Sequence, residues 1–109
     1  MEIHFKDKKI KRLCEDPEIC NKRYGSNCTR KLQARLNDLR AASNPTELHA
    51  GNPHLLTGDL KGLMALNLAG GLRLLFAPAN DPCPKRPDGT TDWSCITIIC
   101  IEDIRDYHD

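Results

Sequence analysis

The sequence is poor in aromatic residues. Only Phe5, Tyr24, Phe76, Trp93 and Tyr107 occur in 109 residues, so any core must be built mainly from Leu and Ile. Long apolar runs are also missing. The longest uncharged stretch, 62–72, is broken by Asn67 and by Gly70-Gly71. It falls well short of the roughly 20 residues that a bilayer-spanning helix needs, which argues against a membrane protein. The opening MEIHFKDKKIKRL interleaves charges from its second residue and has no apolar signal segment, so the cytoplasm is the expected location. No CxxC pair exists among Cys14, Cys20, Cys28, Cys83, Cys95 and Cys100, so a structural zinc site is not expected. A disulfide framework is not expected in a reducing compartment either. Cys95 and Cys100, an odd number apart, should face opposite sides of a strand. Cys14 and Cys20 should lie far apart around a helix. All six are expected to be free thiols, and no carboxylate cluster suits magnesium.

What is present is enough for one domain, 1–109, with one modest core and no room for a separate cofactor domain. A net charge of +1 hides a polarised distribution. Residues 1–40 carry eleven Lys/Arg against six Asp/Glu, whereas residues 81–109 carry three against seven. A basic segment can lie along phosphates, because neutralising them releases counterions whatever the base sequence. It can equally be a solvated helical surface.

The hydrophobic periodicity gives a coarse architecture. Ile3 and Phe5 alternate with polar residues over Glu2–Phe5, a short first strand. Asp7 is placed to cap a helix with Ile10, Leu13 and Cys14 on its buried stripe, and Asp16-Pro17 restarts it towards Tyr24. A second helix begins at Ser26 or Asn27, buries Cys28, Leu32, Leu36 and Leu39, and ends at Asn44-Pro45. Thr46–Asn52 reads as a short helical turn and a loop. From Leu63 the period becomes that of sheet. Leu63–Leu68 and Leu72–Ala77 form a hairpin around Ala69-Gly70-Gly71. The proline-rich stretch 78–94 excludes regular structure, and its length marks it as functional or inserted. Cys95–Ile104, apolar on both faces, reads as a central strand. The order β-αα-βββ predicts an α+β fold, a two-helix hairpin packed on a mostly antiparallel sheet of about four strands.

Three stretches together resemble the RelE/HigB superfamily of toxins, and its HigB-like, plasmid-maintenance branch in particular. His54-Leu55-Leu56-Thr57-Gly58-Asp59-Leu60-Lys61-Gly62 is similar to that branch's "H-x-L-x-G-D-R-x-G" entry to the hairpin. Leu72-Arg73-Leu74-Leu75-Phe76 is similar to its strand with an Arg among apolar residues. Asp106-Tyr107-His108, after an Ile-rich strand, resembles its "D-Y-H" ending. The resemblance implies a RelE-like fold and the toxin of a type II toxin–antitoxin pair. It implies a ribosome-dependent mRNA endoribonuclease that needs no cofactor. A HigA-like helix-turn-helix antitoxin would hold it inactive, and operator DNA would be met only through that partner.

Metal-independent RNA cleavage needs a base for the 2′-hydroxyl proton, a cation for the phosphorane and an acid for the leaving oxygen. Arg73, inside an apolar strand, offers a fork of donors suited to phosphate, or else it is an outward or ion-paired strand residue. His108 has an unperturbed pKa, about 6.5, that suits proton transfer near neutral pH. Tyr107 is a stacking or proton-transfer candidate. His54 is expected near the same end of the sheet, or as an ordinary loop histidine. Lys61 is read as a phosphate contact, Asp106 as an orienting partner, and Arg30 and Arg35 as contacts to the ribosome-bound substrate. Against the HigB pattern, Thr57 and Leu60 replace two cations and Leu72 an aromatic; Lys85 and Arg86 offer substitutes. Two alternatives stay open: a non-enzymatic ParE-like inhibitor of a protein target, and a family member without catalysis that only binds its antitoxin.

Overall fold

The computed structural model describes residues 1–106; Tyr107, His108 and Asp109 lie outside the described residues. Local signals set the helical layer. Asp7 accepts a hydrogen bond from the Ile10 amide at 2.9 Å and caps α1 (Lys8–Glu15). Asp16 closes α1 and caps α2 (Pro17–Tyr24), accepting from the Glu18 amide at 3.0 Å with Pro17 in the first turn. The expected restart is therefore a full break between two helices. Gly25, at φ +88°, takes the chain into α3 (Ser26–Ala41), which ends slightly before Asn44-Pro45. A single 3₁₀ turn, Pro45–Glu47, follows.

The sheet has five strands, in the order β1-β5-β4-β3-β2. These are β1 (Glu2–Phe5), β2 (His54–Leu55), β3 (Met64–Asn67), β4 (Leu72–Pro78) and β5 (Ile98–Asp106). Four were expected. The fifth is β2, two residues long, paired antiparallel with β3. β3, β4 and β5 are also antiparallel neighbours, while β1 runs parallel to β5 at the far edge. β5 starts later than expected, because Asp92 accepts from the Ser94 amide and folds Trp93–Cys95 into a 3₁₀ turn. Cys95 is thus outside the strand and exposed.

The core lies between the helices and one face of the sheet. Leu13, Leu32, Leu36 and Leu39 meet Leu66, Leu74, Phe76, Ile99, Ile101 and Ile104. Burying such a side chain contributes about 1.5–3 kcal/mol, so these aliphatics carry the fold despite the shortage of rings. The one aromatic pair among the described residues is Phe76 edge-on to Trp93 at 6.2 Å. Cys14 and Cys20 share this core instead of lying apart, because the break at Asp16 turns α2 back onto α1. All six cysteines are free, and burial pushes the Cys14 thiol up to about 12, with Cys20 and Glu15 adding to it.

The proline-rich stretch contains more order than its sequence indicates. Lys85 bridges Thr91 in antiparallel register, and the Arg86 amide donates to the Thr90 carbonyl at 2.7 Å. Asn80 staples its start to β5 by accepting from the Thr97 and Ile98 amides, both at 3.0 Å.

Candidate functional site

Alternation along β4 divides the sheet. Leu74 and Phe76 enter the helix-facing core, so Arg73 and Leu75 face the other way. On that open face the strand register sets out two rows. One row runs Asn67, Arg73, Arg105 across β3, β4 and β5. The next runs His54, Ala65, Leu75 across β2, β3 and β4. Leu75 and Ala65 are covered by Leu56, Leu60 and Leu63, a small second apolar cluster that roofs the second row. In the first row Asn67 and Arg73 are half-buried and Arg105 is exposed.

Arg73 is half-buried, and its Nε donates to Asn67 Oδ1 at 3.1 Å. Asn67 is fixed in turn, since its amide donates to the Gly51 carbonyl at 2.6 Å. Gly51 is held at φ +82°, and a Cβ there would stand 3.0 Å from Arg35 Cδ and 3.2 Å from the Asn67 carbonyl oxygen. Directly across β5 stands Arg105, whose guanidinium reaches Asp103 at 3.1 Å. Residues opposed in an antiparallel pair lie about 4.5–5.5 Å apart at Cα. Two guanidiniums opposed in this way repel by a few tenths of a kcal/mol up to about 1. Asp103 offsets part of that through its contact with Arg105. The row therefore sets two guanidinium-bearing residues, a side chain suited to phosphate, on neighbouring strands.

The remaining residues singled out from sequence do not all gather at this row: Lys61 lines a separate groove, and Arg30 and Arg35 belong to α3. His54 belongs to β2 and not to a loop, shares the open face, and its Nδ1 lies 2.7 Å from the Asn52 carbonyl. It is two strands and one row from Arg73, about 12 Å at Cα from standard strand spacings. Asp106 ends the described part of β5 opposite Leu72, one residue from Arg73, and its Oδ1 lies where a Gly71 Cβ would come within 3.3 Å. Tyr107 and His108 lie outside the described residues, so their convergence with Arg73 belongs to the proposal below. Lys61 is exposed after the 3₁₀ turn Gly58–Leu60. Arg30 is exposed on α3, donating to Asn27 Oδ1 at 3.3 Å. Arg35 is largely covered, with only 14% of its side chain exposed, and pairs with Asp38 at 3.0 Å.

Arg105 and Asn67 were missed in the sequence. Both are polar residues at strand ends, and only the β3-β4-β5 register shows that they flank Arg73. Among the described residues, no group of three or more His, Cys, Asp or Glu is arranged to hold a metal ion. No helix among them is long and apolar enough to cross a membrane.

No protein-family model matches the chain, and no curated protein matches it in sequence. Solved structures do match in shape. The YoeB/ParE toxin from Agrobacterium tumefaciens aligns over 99% of this chain and 100% of its own, with TM-score 0.61 and 12% identity. The YoeB-YefM complex from Staphylococcus aureus aligns over 100% of this chain and 98% of the matched chain, at 0.58 and 16%. The Staphylococcus aureus YoeB dimer aligns over the same shares at 0.56 and 17%. The α+β fold expected from the sequence is thus the fold of these toxins over its whole length.

Proposed function

We propose that the chain is the toxin of a type II toxin–antitoxin pair and cuts mRNA on the ribosome. The observation that carries this reading is the register of Arg73 opposite Arg105 on the face of a toxin-like sheet turned away from the helices. In the proposed reaction, the 2′-oxygen of a nucleotide forms a bond to its own 3′-phosphorus as the bond to the 5′-oxygen of the next nucleotide breaks. A base accepts the 2′-hydroxyl proton and an acid returns one to the departing 5′-oxygen. The products are a 2′,3′-cyclic phosphate and a 5′-hydroxyl end. Arg73 binds the phosphate and stabilises the charge that grows on its oxygens. His108 is assigned proton transfer, with Tyr107 assisting and His54 as a second ring. Asp106 orients a neighbouring ring, and Lys61 and Arg30 are assigned to substrate phosphates; Arg35, expected to join them, is covered and paired with Asp38 instead.

An antitoxin is the proposed partner. A solved relative in fold is described as a YoeB-YefM complex, and the basic helical layer here suits an acidic segment. A HigA-like helix-turn-helix partner that alone touches operator DNA, and a cytoplasmic setting, belong to the same reading. The test is inducible expression in bacteria with mapping of mRNA 5′ ends. Wild type should arrest growth and create new ends in translated messages, and Arg73→Ala should do neither. An Arg73→Ala variant that still arrests growth without new ends would favour a ParE-like inhibitor of a protein target instead.

A further inference from the structure

The groove at the loop end of the sheet is a second cationic feature, separate from the Arg73 row. It has a volume of about 950 Å³ and lies between residues 55–62 and the 85–93 part of the long loop. Three cations line it, Lys61, Lys85 and Arg86, against one acid, Asp88. The lining thus keeps a net positive charge with that acid ionised. Asp88 Oδ1 accepts from the Thr90 amide at 2.9 Å and the Thr90 hydroxyl at 2.6 Å, and these bonds hold its carboxyl below its usual range. Asp92, behind the loop, is likewise bonded to Ser94, and Asp59 is next to the groove in sequence without lining it.

The cations are held on ordered backbone. The Lys85–Thr91 bridge, the Arg86 amide on Thr90 and the Gly89 amide on the Arg86 carbonyl at 2.9 Å form a closed turn. The turn fixes the backbone that carries both charges. A peptide occupant is poorly served here. The neighbouring edge strand is two residues long, Leu56 and Trp93 are buried, and only Leu55 offers an open apolar contact. A polyanion needs only spaced cations and finds no bases read, since the one ring at hand is covered.

We infer that this groove binds the sugar-phosphate backbone of single-stranded RNA, with Lys85 and Arg86 as sequence-independent phosphate contacts. The inference rests on the RNA-cutting reading above and extends it from the Arg73 row to the opposite end of β4. It also gives the long loop a role, as a source of cations beside Thr57 and Leu60.

The test is fluorescence anisotropy of the full chain with a fluorescein-labelled 2′-O-methyl single-stranded RNA, which 2′-hydroxyl attack cannot cut, over a range of salt. Each phosphate contact on a single strand contributes about 0.7 to the slope of log K against log[salt]. The Lys85→Ala/Arg86→Ala variant should therefore lose about 1.4 from the wild-type slope, while Lys11→Ala, on the helical layer, keeps it. An unchanged slope for the double variant overturns the inference. So does an unchanged RNA slope with lost binding to poly-L-glutamate, which would make the groove a site for an acidic protein. Cleavage of ribosome-bound mRNA by wild type is scored in parallel. Absent cleavage with the slope reduced rejects the enzyme reading alone, and present cleavage with the slope intact rejects the groove alone.

Discussion

Replacing Gly51 by alanine tests whether the backbone behind Arg73 is as tightly fitted as the contacts indicate. Two costs combine at this position. The φ of +82° is one that an L residue adopts at about 1–2 kcal/mol. The added Cβ would also meet Arg35 Cδ at 3.0 Å, the Asn67 carbonyl oxygen at 3.2 Å and the Asn67 nitrogen at 3.3 Å. The Arg35 stem can move, but the Asn67 atoms are strand backbone, and overpacking of this kind typically costs about 1–3 kcal/mol. Gly58, at φ +64° with open space within 4 Å of where a Cβ would stand, carries the first cost without the second. Urea unfolding of Gly58→Ala should show a loss of about 1–2 kcal/mol with m unchanged, and Gly51→Ala a further 1–3 or so. Against a typical total of about 5–15 kcal/mol, the difference is readily measured. Gly51→Ala should also lower cleavage in the folded protein, because Asn67 orients the Arg73 guanidinium. Equal stability of the two variants would refute the close fit.

The Asn67→Ala variant removes the bond to Arg73 Nε and should cost about tenfold in cleavage, the value of one orienting hydrogen bond of about 1–1.5 kcal/mol; single-turnover rates check it. Burial raises the Cys14 thiol from 9.0 to about 12, so the unfolded chain ionises first as pH rises. The contribution of that thiol is complete below pH 9 and is lost towards pH 12, at about 1.4 kcal/mol per unit, and Cys14→Ala should flatten this part of a stability-against-pH curve. Arg30→Ala should raise the protein concentration needed for half-maximal ribosome binding and reduce its salt dependence, as sedimentation binding would show.

Some of this structure was legible in the sequence because the signals are local. Asp16-Pro17 breaks α1 from α2 through bonds within two residues, and Ala69-Gly70-Gly71 makes the hairpin turn with both glycines at positive φ. Arg73 stood out as a lone charge in an apolar strand. Features that depend on distant partners did not show. The parallel pairing of β1 with β5 joins residues almost a hundred positions apart, and β2 is too short to create a period. The start of β5 was misplaced because the apolar run from Cys95 hides a turn fixed by the Asp92 side chain. Arg105 looked like one of several charges near the C-terminus, and only a register shifted by the bulge at Leu75/Phe76 sets it opposite Arg73.

Arg73 and His108 are proposed to perform the chemical step, and single-turnover cleavage of ribosome-bound mRNA at saturating protein measures the part each plays. Arg73→Ala should remain folded, still bind the antitoxin, and lose a factor of about 10²–10³ in rate. His108→Ala should lose about 10²–10⁴. Cleavage at the wild-type rate by either folded variant would contradict the account.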